Sequence, residues 1–158
     1  MDSDSKQRAL ATLNIYSRTL SAEELARLVP SPPDSAKQKG TPRGRHPGNV
    51  HPHSVVSYDS HVERSAGLSA HLEDLLGRLD PAKDALRAFA ERADAEDFPS
   101  TSITKRPPAR VVLWLRAEST DGAIGFGLSN EQLKAVYELG AYLAVELETC
   151  DQDGERRN

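Results

Sequence analysis

The stretch Arg110-Val111-Val112-Leu113-Trp114-Leu115-Arg116-Ala117-Glu118 puts Val111, Leu113 and Leu115 on one side of an extended chain and Val112 and Trp114 on the other. A strand apolar on both sides belongs inside a sheet, so 110–118 is expected to be central. Downstream, Ser119-Thr120-Asp121-Gly122 reads as a turn with a favoured hairpin dipeptide. That turn would pair the central strand with 123–128, where Ile124, Phe126 and Leu128 alternate with Gly125 and Gly127. Ser129 and Gln132 have capping-box spacing, which predicts a helix with Leu133, Val136 and Tyr137 inward and Gly140 as its stop. A last strand follows, with Leu143, Val145 and Leu147 on one side and Tyr142, Glu146 and Glu148 on the other.

Upstream, Leu72, Leu75, Leu76 and Leu79 recur at i, i+3, i+4 and i+7 behind Ser69 as N-cap, which predicts an amphipathic helix. Asp80-Pro81 restarts the chain, Asp80 as N-cap and Pro81 at the first helical position, with Leu86, Phe89 and Ala90 buried. At the other end, Ala11, Leu13 and Ile15 alternate with Thr12, Asn14 and Tyr16, predicting a half-buried strand over 9–17. Ser21 and Glu24 form another capping box, and the short helix with Leu25, Leu28 and Val29 ends at Pro30. Val55, Val56 and Tyr58 suggest a second strand. The order of elements fits one α+β domain over 9–148, a mixed and mainly antiparallel sheet with helices packed on one face. The likeness of Leu20-Ser21-Ala22-Glu23-Glu24-Leu25 to Leu128-Ser129-Asn130-Glu131-Gln132-Leu133 adds the expectation of two related strand–helix halves, as in ferredoxin-like folds. Residues 1–8 and the charged 149–158 are expected to be disordered.

Of 158 residues, only 5% are aromatic, so Leu, Val and Ala must supply the core. A net charge of -4 argues against general nucleic-acid binding, which needs a surplus of basic side chains. Apolar runs such as 141–145 are too short to cross a membrane, and Met1-Asp2-Ser3-Asp4-Ser5 lacks the regions of a secretory signal. With the single Cys150, these features predict a cytoplasmic protein.

The charge is unevenly spread. Between Ser35 and Tyr58 stand Lys37, Lys39, Arg43 and Arg45 with no acid, whereas 59–98 carries ten acids against five bases. The basic segment overlaps a long Pro-, Gly- and His-rich stretch, 30–53, that reads as a surface loop.

Four stretches resemble a bacterial family described as domain of unknown function 4279. They are Leu13-Asn14-Ile15-Tyr16 with Leu20-Ser21-Ala22-Glu23-Glu24; Lys39-Gly40-Thr41-Pro42-Arg43; Leu72-Glu73-Asp74-Leu75-Leu76-Gly77-Arg78-Leu79; and the run from Leu128-Ser129 to Leu147. The resemblance implies a small intracellular α+β domain and carries no established activity. Where that family often has a tryptophan after the Lys-Gly loop, this chain reads His51-Pro52-His53-Ser54-Val55-Val56-Ser57-Tyr58.

Several side-chain groups invite a chemical reading. His46, His51, His53 and His61 have the residue type to collect a transition metal, and His51 and His53 share one side of an extended segment. The plainer reading is titrating surface histidines. Gly122-Ala123-Ile124-Gly125-Phe126-Gly127 lacks the Lys-Ser/Thr and the spacing of a phosphate-cradling loop. Ser57, Asp59 and His61 share a strand side, yet a triad needs its base and orienting group brought from elsewhere. Glu146 and Glu148 read as a solvated face, and Cys150, beside Asp151 and Asp153, as unreactive.

The reading that results is a non-enzymatic binding module, with no cofactor, engaging a protein partner that is acidic where it meets Lys37, Lys39, Arg43, Arg45, His51 and His53. An antitoxin- or immunity-like role is one form of it. The alternative is a metal-dependent or acid–base enzyme using His46, His51, His53 and His61. A weaker third is an anionic ligand held by Lys37, Lys39, Arg43 and Arg45.

Overall fold

A computed structural model of the chain describes residues 8–46, 48–92, 110–120 and 124–149. The strands are β1 (Arg8–Ser17), β2 (Ser35–Lys37), β3 (Ser54–Asp59), β4 (Val111–Ser119) and β5 (Tyr142–Thr149), with burial alternating along β3 and β4 apolar on both sides at its start. The helices are α1 (Ala22–Ala26), α2 (Leu68–Leu79), α3 (Lys83–Glu91) and α4 (Asn130–Glu138). The sheet runs β2-β3-β1-β4-β5, antiparallel throughout except for the parallel β4–β5 pair.

This order makes the α+β architecture ferredoxin-like in its first part. β3 lies between β1 and β2, and β1 lies between β3 and β4, so β1-α1-β2 and β3-α2-α3-β4 are both split β-α-β units. The α4–β5 unit is then added beside β4 by a simple parallel crossover. The two matching capping regions therefore relate α1 to α4, which stands outside the ferredoxin-like set.

Both capping boxes form. The Glu24 backbone N–H donates to Ser21 Oγ and the Ser21 N–H to Glu24; Ser129 and Gln132 do the same. Gln132 is buried and also donates to Ser69 Oγ at 2.8 Å, which ties α4 to α2. Ser69 is thus not the N-cap of α2, which begins one residue earlier behind Gly67. Nor does Asp80 cap a helix: Asp80–Ala82 is a turn of 3-10 helix, and α3 starts at Lys83 with no side-chain cap. Gly140 ends α4 at φ 67°, and a Cβ there would sit 3.0 Å from Ala90 Cβ, so both conformation and the approach of α3 exclude a side chain.

The helices cover one face only. Ala11, Leu13 and Ile15 of β1, Val56 and Tyr58 of β3, and Leu113 and Leu115 of β4 form a single cluster with Leu25, Leu72, Leu75, Leu79, Leu86, Phe89 and Val136. Leu76 is only half-buried; Leu68 completes the stripe instead. The expected hairpin partner of β4 is absent from the sheet. Residues 124–128 form no strand, and both neighbours of β4 are accounted for by β1 and β5; Asp121-Gly122 lies outside the described residues. Leu133 and Tyr137 of α4 face outward, at 45% and 72% exposure, leaving Val136 inward with Gln132. Val145 and Leu147 of β5 are also exposed, because β5 is the outermost strand. The tails 1–7 and 150–158, with Cys150, lie outside the described residues.

Candidate functional site

The face turned away from the helices carries the second side-chain set of each strand. By register, Tyr16 stands opposite Val55, Asn14 opposite Ser57 and Lys37 opposite Val55. Odd-numbered residues of β3 point to this face, and His51 and His53 continue that parity upstream.

The stretch after β2 is more ordered than its composition suggests. The Gly40 N–H donates to His51 O at 2.9 Å, the His51 N–H to Thr41 O at 3.0 Å and the Arg43 N–H to Asn49 O. Pro42 and Val50 are bridged, and Gly40 and Gly44 turn the chain at φ 81° and 75°. The result is a small hairpin anchored at its base, where the Lys39 N–H donates to Ser54 Oγ at 3.2 Å and Gln38 accepts from the Ala22 N–H at 2.8 Å.

Hairpin and sheet together border a half-open cavity of about 170 Å³. Asn14, Tyr16, Val55 and Ser57 form its floor, Lys37 comes from the edge strand, and Arg43, His51, Pro52 and His53 come from the hairpin and its return. His53 is 8% exposed and its ring meets Tyr16 edge-on, centroids 5.3 Å apart. The Asn14 amide donates to the Tyr16 hydroxyl at 3.1 Å. Four of the nine described lining residues are basic in type and none is acidic, so the electrostatic complement of this lining is an anion.

A charged clamp holds β2, and with it Lys37, in register. The Asp34 N–H donates to Ser57 O, and its carboxylate accepts from the Asp59 N–H at 2.8 Å, meets His61 Nε2 at 2.7 Å and pairs with Arg78 at 3.4 Å. Burial opposes the charge on Asp34, but the Asp59 N–H, His61 and Arg78 outweigh it and hold the carboxyl below its ordinary range. Arg78 also donates to Asp59 O, so α2 is joined to the same corner.

The sequence-derived candidates divide accordingly. Lys37, Arg43, His51 and His53 converge on the cavity. Lys39 turns its ammonium to Arg18 O at 3.0 Å, and Arg45 and His46 are exposed in the hairpin turn. His61 belongs to the Asp34 clamp. The four histidines therefore fall in three places, and among the described residues no three His, Cys, Asp or Glu are placed to hold a metal. Ser57, Asp59 and His61 form no triad either: Ser57 lines the cavity, Asp59 accepts from Thr12 Oγ1 at 2.7 Å, and His61 is bonded to Asp34. Glu146 pairs with Arg116 at 2.9 Å on the outer face. Asn14 and Tyr16 are not among the sequence-derived candidates, and Ser57 is there only as a possible nucleophile; alternation places all three off the core side, but only the strand register brings them under the hairpin.

A second polar pair lies within the core. Ser60 Oγ is 2.6 Å from Nδ1 of the fully buried His71 and accepts from the Ala11 N–H. Burial pushes the His71 ring below its ordinary pKa, against the opposing effects of the Glu63 backbone and Asp74. Away from the cavity, this pair pins α2 to β1 and the end of β3.

A family model described as a domain of unknown function (DUF4279) matches residues 6–149. No curated protein and no solved structure matches the chain.

Proposed function

Because the chain belongs to the DUF4279 family, whose description assigns no activity, we propose from its site that the domain is a non-enzymatic binding module that takes an acidic segment of a protein partner on its open sheet face. The observation that carries this reading is the convergence of Lys37, Arg43, His51 and His53 on one cavity without an acidic neighbour in its lining. A partner's anionic side chain entering that cavity would meet two permanent cations and two imidazoles, while the rest of the segment lies across Asn14, Tyr16 and Ser57. The setting is a bacterial cytoplasm, in keeping with a single cysteine and with described helices too short to cross a membrane. An antitoxin- or immunity-like pairing fits such a module. The competing enzyme reading draws on His46, His51, His53 and His61 as one cluster, and of these His51 and His53 line the cavity.

The test is kinetic. Electrostatic attraction acts mainly on the rate of encounter, so association of a Glu-rich peptide at low salt should slow about tenfold or more in the Lys37→Glu/Arg43→Glu variant, with dissociation changed less. The difference should shrink as salt shortens the screening length from roughly 10 Å at 0.1 M to about 3 Å at 1 M. Reversing Lys39 and Arg45, which lie off the cavity, should matter less. Equal rates for the wild type and the Lys37/Arg43 variant would overturn the reading.

A further inference from the structure

We infer that the anionic group this cavity prefers is a phosphate monoester on the partner, a dianion, over a carboxylate. The inference rests on the binding-module reading above and specifies its ligand. A carboxylate brings one negative charge and two oxygens. A phosphate monoester brings about -1.5 to -2 at pH 7 and three acceptor oxygens. Lys37 and Arg43 alone match the larger charge, and His51 and His53 extend the match when protonated. Asn14, Tyr16 and Ser57 add neutral polar groups of the kind that bond phosphoryl oxygens. The space, about 170 Å³, is several times the roughly 30 Å³ that one water occupies in the liquid, so it admits a tetrahedral group with its ester linkage.

Proton linkage separates the two ligands. A phosphate monoester takes up its own proton near pH 6, whereas a glutamate side chain stays ionised to about pH 4.3. Against the two permanent cations Lys37 and Arg43, phosphate affinity must therefore fall relative to carboxylate affinity as the pH drops from about 7 to 5.5.

Calorimetric titration of the full chain tests this with acetyl-Ala-phosphoserine-Ala-amide, the same peptide carrying Glu, and ribose 5-phosphate, each from pH 8 to 5.5. The expected result is that at pH 7 the phosphopeptide binds about tenfold or more tightly than the Glu peptide, and that this advantage shrinks toward pH 5.5. Lys37→Glu/Arg43→Glu should abolish binding. Equal or tighter binding of the Glu peptide at pH 7, or an advantage that does not shrink by pH 5.5, would overturn the phosphate assignment and leave the binding-module reading standing. Failure of both peptides and the sugar phosphate to bind would overturn both. Ribose 5-phosphate bound as tightly as the phosphopeptide would support the phosphate assignment while contradicting the protein-partner reading.

Discussion

Replacing Leu75 by alanine should lower the unfolding free energy by about 2–5 kcal/mol, the range for a buried leucine whose cavity collapses only in part. Leu75 is fully buried, on the face of α2 that packs against β1 and β4. Those contacts bridge both split units, so the loss is not confined to one helix. Leu76, one residue on and half-buried, is the internal control: its truncation should cost distinctly less. Urea melts of the two variants decide it. A smaller loss at Leu75 than at Leu76 would mean that α2 is rotated from the orientation described.

The second large effect concerns acid. His71 is buried with its pKa depressed, so the folded state holds the ring neutral where the unfolded chain, with an ordinary histidine pKa near 6.5, takes up a proton. Below about pH 6.5 the unfolded state binds the extra proton, and stability falls as the pH falls. The contribution of this group is complete above that pH and is lost at up to about 1.4 kcal/mol per pH unit, until the folded ring itself protonates. In His71→Leu the proton linkage is gone. Its stability at neutral pH should be lower, because Ser60 Oγ loses its hydrogen-bond partner in a buried place, but its decline between pH 6.5 and 5.5 should be shallower than that of the wild type. Parallel declines in the two proteins would show that His71 titrates normally.

Much of the fold was legible because its signals are local. The alternation in β1 and the two reciprocal capping boxes depend on residues a few positions apart, and all three formed as read. The failure came at 123–128. Asp121-Gly122 followed by alternating Ile124, Phe126 and Leu128 looks like a hairpin, but a strand needs a free edge. The second edge of β4 is taken by β5, which α4 delivers in parallel, and local sequence does not encode which strand arrives there. Among the described residues, nothing lies within 4 Å of where a Cβ would stand on Gly125 or Gly127.

The site divides along the same line. Lys37, Arg43, His51 and His53 were visible as a basic, histidine-rich stretch without acids. Their fixation was not, since a segment rich in Pro and Gly reads as loop while the hairpin from Gly40 to His51 is held by backbone bonds that composition does not reveal. Lys39 and Arg45 look equivalent to Lys37 and Arg43 in sequence and differ only in where the hairpin sends them. The Asp34 clamp joins residues 27 and 44 positions apart, and no spacing rule announces it.

The most direct test of the central claim, that the cavity beneath the hairpin is where the domain meets its partner, is an amide chemical-shift map recorded while the Glu-rich peptide is added. The account predicts that the largest shifts fall on Asn14, Tyr16, Lys37, Arg43, His51, His53 and Ser57, with β5 and the outer side of α4 unmoved. Shifts concentrated instead on Tyr137, Tyr142, Val145 and Leu147, the exposed residues at the opposite edge of the sheet, would contradict it.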